Sequence, residues 1–218
     1  MPVHRLLARQ RLPARPLSPA RALHGRQREM RQLLDLLDGP SGASACVAAV
    51  LAEPGAGKSL LLDHVESAAR ARGLAAIAAA ASPVDRTSPY FVWRALLPQL
   101  LGAPAAAAPS AAELPQLRLR LLEALQGSPL AEKAGLLEDI MPLGLSGHGI
   151  ARQISGAARV TGIEDLVVQV AARAGARRRL VLLVDDLHWI DAPSARLLLA
   201  LVQRVRGVLL VLASRDAT

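Results

Sequence analysis

Between residues 26 and 37 the apolar side chains Met30, Leu33, Leu34 and Leu37 recur three and four positions apart, which predicts an amphipathic helix stopped by Gly39 and Pro40. A short apolar run over 45–51, with Val47 and Val50, predicts a strand. Gly55 and Gly57 follow it, and 58–72 reads as a helix closed by Gly73. A second apolar run, 74–80, fits a buried strand although its alanines are poor strand formers. The pattern then predicts a helix over 89–101 with aromatic residues at its start, and a linker or insertion over 102–112, where Pro104 and Pro109 flank an alanine run. A further helix is expected over 113–126, a Gly/Pro-rich loop over 141–149 and a helix over 163–174. The apolar stretch 180–184, ending in two acids, predicts a fully buried strand. A helix over 193–205 and a last buried strand over 208–213 complete the series. Strands and helices alternating at these lengths imply an α/β fold, a mostly parallel sheet with helices on both faces. No internal repeat is evident.

Composition narrows this picture. Hydrophobic residues make up 52% of the 218-residue chain but aromatic ones only 2%, so one α/β core must be packed with aliphatic and small side chains. No apolar stretch reaches the ~18–20 residues that span a bilayer, which implies a chain without membrane contact. The single cysteine, Cys46, sits in an apolar run. It can form no intrachain disulfide, so a reducing, cytoplasmic setting is expected.

The net charge of +8 is unevenly placed: eight arginines against one acid, Glu29, between Met1 and Arg31 supply a surplus of seven. Pro13, Pro16 and Pro19 break up this stretch, so 1–22 is expected to be a flexible basic arm ahead of a domain over 23–218. The arm reads first as a solvated tail, with nucleic-acid contact or organellar targeting as alternatives. Arginines outnumber lysines 24 to 2, which is also what codon bias alone would give.

The glycine-bearing segment carries the chemistry. Ala52, Glu53, Pro54, Gly55, Ala56, Gly57, Lys58 and Ser59 match the spacing G-x-x-x-x-G-K-[ST] at every fixed position but the first, where Ala52 replaces glycine. In such a loop backbone N–H groups curl around phosphates, the lysine neutralises their charge and the hydroxyl binds magnesium. Asp185, directly after the strand at 180–184, supplies the carboxylate that a magnesium-nucleotide site needs on a neighbouring strand. Strand, glycine loop, helix and acid-tipped strand therefore predict a P-loop site for ATP, or alternatively GTP, with Mg2+. Gly144 and Gly147 do not complete a nucleophile elbow around Ser146. Of the five histidines, His4, His24, His64 and His148 are scattered and none of these reads as catalytic.

Five pieces of the chain, taken together, resemble the nucleotide-binding domain of STAND-type AAA-like ATPases, the group found in large LuxR-family transcriptional regulators and beside bacterial cyclase or kinase domains. They are the lead-in from Leu23 to Met30 with Gly25 and Arg26, the P-loop, the segment Ser88 to Trp93, the segment Leu183 to Asp191, and Leu212 to Arg215. The resemblance implies a P-loop NTPase three-layer sandwich. It implies that the loop from Glu53 through Ser59 and Leu60 holds the nucleotide and that Ser59 and Asp185 hold magnesium. Asp186, where relatives often carry glutamate, would orient the attacking water, and Arg215 would sense the γ-phosphate. Arg26 reads either as a base-side contact or as a surface arginine. Trp189 fits a packing role better than a chemical one.

The resemblance also implies one more strand and a helical lid beyond 218, so the domain is expected to be C-terminally incomplete, with 45–51 left as a sheet edge open to a protein partner or to self-association. The resulting functional expectation is a Mg-ATP-binding core of a regulatory signal-transduction ATPase whose hydrolysis is slow or absent. The alternatives are a non-catalytic interaction module, a fragment of a LuxR-family regulator, and nucleic-acid binding through the arm.

Overall fold

In the computed structural model, which describes residues 25–39, 44–84, 87–104 and 109–215, the apolar runs form four strands: β1 (Cys46–Leu51), β2 (Ala75–Ala80), β3 (Leu180–Asp185) and β4 (Val208–Ser214). The arm at 1–22 and the alanine run at 105–108 lie outside the described residues. All the strands pair in parallel, in the order β1-β4-β3-β2. Around them lie α1 (Gln27–Leu37), α2 (Lys58–Ala71), α3 (Phe91–Leu100), α4 (Leu114–Leu125), α5 (Gly156–Arg177) and α6 (Ala192–Arg204). Among the described residues no helix is long and apolar enough to cross a membrane.

The two-residue period of the strands sorts their side chains into two layers of core. Val181 and Leu183 of β3, with Leu209, Val211 and Ala213 of β4, meet Leu33 and Leu37 of α1 and Leu61 and Val65 of α2. The intervening Leu180, Leu182, Val184, Val208 and Leu210 face the other way, into a larger core with Trp93, Leu121, Ile163 and Leu197 of α3 to α6. This is the three-layer sandwich expected of a P-loop fold. Each Leu or Val buried outright contributes roughly 1.5–3 kcal/mol, so β3 and β4, rather than the alanine strand β2, carry most of the sheet's stability.

β2 forms despite its composition because its outer edge finds a partner elsewhere. The Gln99 carboxamide on α3 accepts from the Ala78 N–H at 3.2 Å and donates to the Ala78 carbonyl at 2.8 Å, as a neighbouring strand would. The opposite edge, β1, pairs with β4 on one side, and among the described residues no strand pairs with its other side. Val47 and Leu51, on the face of β1 turned away from α2, stand 48% and 58% exposed beside this edge.

Two stretches depart from the sequence pattern. The helix expected over 163–174 runs from Gly156 to Arg177. Its first turns hide from the apolar period because Arg159 fastens them with a polar set, an ion pair to Asp139 and bonds to the carbonyls of Ala151 and Ile154. The segment Pro129–Asp139, for which no element was expected, makes successive 3-10 turns begun by the Ser128 hydroxyl, which accepts from the Leu130 N–H. The loop over 141–149 closes on this segment so tightly that a Cβ at Gly149 would lie 1.9 Å from the Glu132 carbonyl oxygen.

Candidate functional site

The carboxyl ends of the strands place the candidate residues. Leu51 of β1 lies in register with Ser214 of β4, and Ala80 of β2 with Asp185 of β3. From β1 the chain departs to the α2 face, whereas α6, which follows β3, packs on the opposite face. The loops part between these faces and leave a crevice, the usual ligand position in an open parallel sheet. That crevice is a cleft of about 400 Å³ lined by Pro54, Gly55, Gly57, Lys58, Ser59, Leu60, Asp186 and Arg215.

The loop that enters the cleft is held open by glycine backbone. Gly55 and Gly57 have φ of 77° and 79°, a region that side chains with a Cβ resist, and a Cβ at either position would meet nothing within 4 Å. Open space therefore lies over both. Gly57 directly precedes Lys58, the first residue of α2, so the loop's N–H groups and the positive end of the helix dipole are gathered at one place. Ala52, in the place where the motif has glycine, donates its N–H to the Ser214 carbonyl, which joins the start of the loop to the end of β4.

Lys58 is only 7% exposed. Its ammonium donates to the carbonyls of Ala52 at 2.7 Å and Glu53 at 2.9 Å. Two of its three donors thus hold the loop's own backbone, and one is left for a ligand.

Across the cleft, Asp185 ends β3 and its Oδ1 accepts from the Asp186 N–H at 2.8 Å, which fixes the turn between the two acids. Asp186 has φ of 52°, a left-handed conformation tolerated by aspartate, and this turns its side chain toward the cleft while Asp185 stays out of the lining. Nδ1 of His188 lies 4.0 Å from the Asp186 carboxylate. The ring of His188 packs against Trp189 at 4.9 Å between centroids. The Arg215 guanidinium lies 5.9 Å from the Trp189 ring centroid, within reach of a cation–π contact. The sequence assigned Trp189 to packing. The structure adds that the indole stands beside the arginine at the mouth of the cleft.

Of the residues singled out from sequence, the fold brings Pro54, Gly55, Gly57, Lys58, Ser59, Leu60, Asp186 and Arg215 to one lining, with Asp185 directly behind. Glu53 contributes its carbonyl to Lys58, and Ala56 donates its N–H to the Glu53 carbonyl inside the loop. Arg26 sits at the start of α1, where its carbonyl accepts from the Met30 N–H, and is not part of the lining.

Sequence reasoning gave no role to Asp191, which proves to be the joint of the region. Its buried carboxylate accepts from the N–H groups of Tyr90, Phe91 and Ser194 at 2.9, 3.2 and 2.8 Å. It therefore caps α6 and holds the entry to α3, where Tyr90 has φ of 59°. The Trp93 indole N–H adds a bond to the Ser194 carbonyl at 3.1 Å. Aspartate two residues ahead of a proline at the first turn of a helix is a legible cap; its long-range partners are not.

The donor set suits a polyphosphate with a divalent cation: backbone N–H groups, an ammonium and a hydroxyl from the loop and α2, and the Asp186 carboxylate across from them, with Asp185 preceding it in the chain. A family model described as AAA ATPase domain matches residues 22–212 of the chain. Comparison with curated proteins and with solved structures returned no match.

Proposed function

The chain belongs to the AAA ATPase domain family, a nucleotide-binding P-loop ATPase core, and from that premise we propose that it is the Mg-ATP-binding core of a regulatory ATPase of the STAND type. The observation that carries this is the convergence of Lys58, Ser59, Asp186 and Arg215 on one cleft. Lys58 and the loop N–H groups bind the phosphates. Ser59 and Asp185 hold magnesium, which when bound neutralises charge on the transferring phosphoryl group. Asp186 orients the water whose oxygen attacks the γ-phosphorus. It accepts the proton as the bond to the β-phosphate oxygen breaks and ADP departs. Arg215, steadied by Trp189, neutralises charge on the γ-phosphate.

Turnover is slow on this account. Asp186 is one methylene shorter than glutamate, and Lys58 must give up or share bonds to two loop carbonyls as the phosphates enter. Slow turnover suits a switch that hydrolysis resets. The test is single-turnover hydrolysis of γ-labelled ATP with magnesium. The full chain should turn over well below the ~10 per second of a median enzyme, and Asp186→Asn should lower the rate further while ATP still binds. Fast turnover indifferent to that change would overturn the assignment.

A second reading is favoured by the open side of β1, beside which Val47 and Leu51 are exposed: this edge docks a protein partner or a second copy of the chain. Sedimentation of the chain against a Val47→Lys variant tests self-association there. A role in transcription extends the STAND reading, whereas nucleic-acid contact through the basic arm is a separate alternative, and the cytoplasmic setting rests on the lone Cys46.

A further inference from the structure

At the opposite end of the sheet lies a second cleft, of about 430 Å³. Its walls are the run Arg177, Arg178 and Arg179, which leads into β3, and the pair Arg204, the last residue of α6, and Arg206, which precedes β4. Its floor is the last turns of α5, where Ala172, Gly175 and Ala176 fall at i, i+3 and i+4 and leave the space open. From Arg179 to Asp186 the chain runs through β3, about 23 Å at roughly 3.3 Å per residue. No small ligand bridges the two clefts.

Five guanidinium groups here exceed what the fold itself consumes. The C-terminal ends of α5 and α6 face this region, each equivalent to roughly half a negative charge. Asp165 pairs with Arg204 at 2.7 Å. With the end of α1, which Arg179 also meets, these amount to about two and a half negative charges against five positive ones, so about half the positive charge remains. Arg179 is 8% exposed, and its Nη1 closes the end of α1 by donating to the carbonyls of Leu36, Leu37 and Gly39, each at 2.8 Å; its buried Nε has no partner among the described residues. Arg177, Arg178 and Arg206 are exposed and make no ion pair among the described residues.

We propose that this cleft is a second anion site, which takes a compact ligand carrying two or more phosphoryl groups. Guanidinium forks pair with phosphate oxygens two bonds at a time, and the two short segments that lead into β3 and β4 present them from two sides. The volume falls within the roughly 300–1,000 Å³ of small-molecule pockets. A nucleic-acid strand would call for stacking platforms, and no aromatic side chain lines the cleft. The site does not depend on the assignment of the nucleotide cleft.

Equilibrium dialysis of labelled inorganic tripolyphosphate, without divalent cations, tests it on the full-length Lys58→Ala chain, in which the P-loop contribution is removed. One equivalent should still bind. Adding Arg177→Ala, Arg178→Ala and Arg206→Ala should weaken it at least about tenfold, the scale of losing one charge-assisted hydrogen bond or more, whereas Arg5→Ala, Arg9→Ala, Arg11→Ala and Arg15→Ala in the arm should not. With Lys58 intact, the triple arginine variant should bind a fluorescent ATP analogue normally, which shows that it folds; if it does not, the single Arg206→Glu variant takes its place. Retention of tripolyphosphate by the arginine-cleft variant, loss through the arm substitutions alone, or preference for a single-stranded oligonucleotide over tripolyphosphate would each overturn the proposal.

Discussion

The two ends of this sheet carry clefts of similar size built on opposite principles. At the carboxyl end the donors are backbone N–H groups, gathered by Gly55 and Gly57 where the positive end of α2 adds to them, with one lysine drawn into the loop. At the amino end the helix ends are negative, and the positive field comes from five arginine side chains that outnumber what those ends neutralise. Backbone donors fixed by dihedral angles are pre-organised, so damage there is all-or-none. Side chains on an exposed rim share their load, so damage there is graded.

Gly57→Val should break the contrast most visibly. The added Cβ meets nothing, so the penalty falls on a φ of 79° that a β-branched residue avoids. Nucleotide affinity should drop roughly 1,000-fold, as two or more charge-assisted hydrogen bonds of about 1.5–3 kcal/mol each are lost with the loop's shape. Competition against a fluorescent ATP analogue measures the drop, and tripolyphosphate binding at the arginine end should be untouched. Asp191→Ala comes next, because it strips the acceptor from three N–H groups behind the nucleotide end. Urea unfolding should show a loss of about 3 kcal/mol, from buried donors that cost about 1–3 kcal/mol each when unpaired. Arg206→Ala alone should weaken tripolyphosphate only about threefold, the worth of one exposed charge contact near 0.2–1 kcal/mol. An abrupt loss there would mean that the arginine end is as organised as the loop.

The smallest effect is expected at Glu66 of α2, which is 6% exposed and bonded to Arg70. Burial raises its carboxyl above the ordinary 4.5, and Arg70 offsets this only in part. The folded chain then holds the proton more tightly than the unfolded one, so stability is greatest with Glu66 protonated and declines as the pH rises from 4.5 through the raised value. Glu66→Gln should flatten that decline in a plot of Tm against pH.

What could be read in the sequence follows the same division. The four strands and the P-loop were legible because a continuous apolar run such as 180–184 and a fixed glycine spacing are local signals. Even the alanine strand emerged, although its formation rests on Gln99, a contact 21 residues away. The arginine cleft was not legible, since residues 177–179 and 204–206 meet only through the pairing of β3 with β4. Asp191 was quoted within a motif, yet its partners at Tyr90 and Phe91 lie a hundred residues back. The 3-10 turns of Pro129–Asp139 follow neither helical nor strand periodicity and take their shape from the loop packed on them.

Nucleotide binding by the glycine loop and Lys58 is the proposal on which the ATPase reading depends. Equilibrium titration of a fluorescent ATP analogue with magnesium, on the full chain and on Lys58→Ala, with unlabelled ATP and GTP as competitors, tests it most directly. Micromolar binding that the substitution abolishes and that ATP displaces better than GTP is the expected result. Binding that survives Lys58→Ala, or a folded chain that binds no nucleotide, would contradict it.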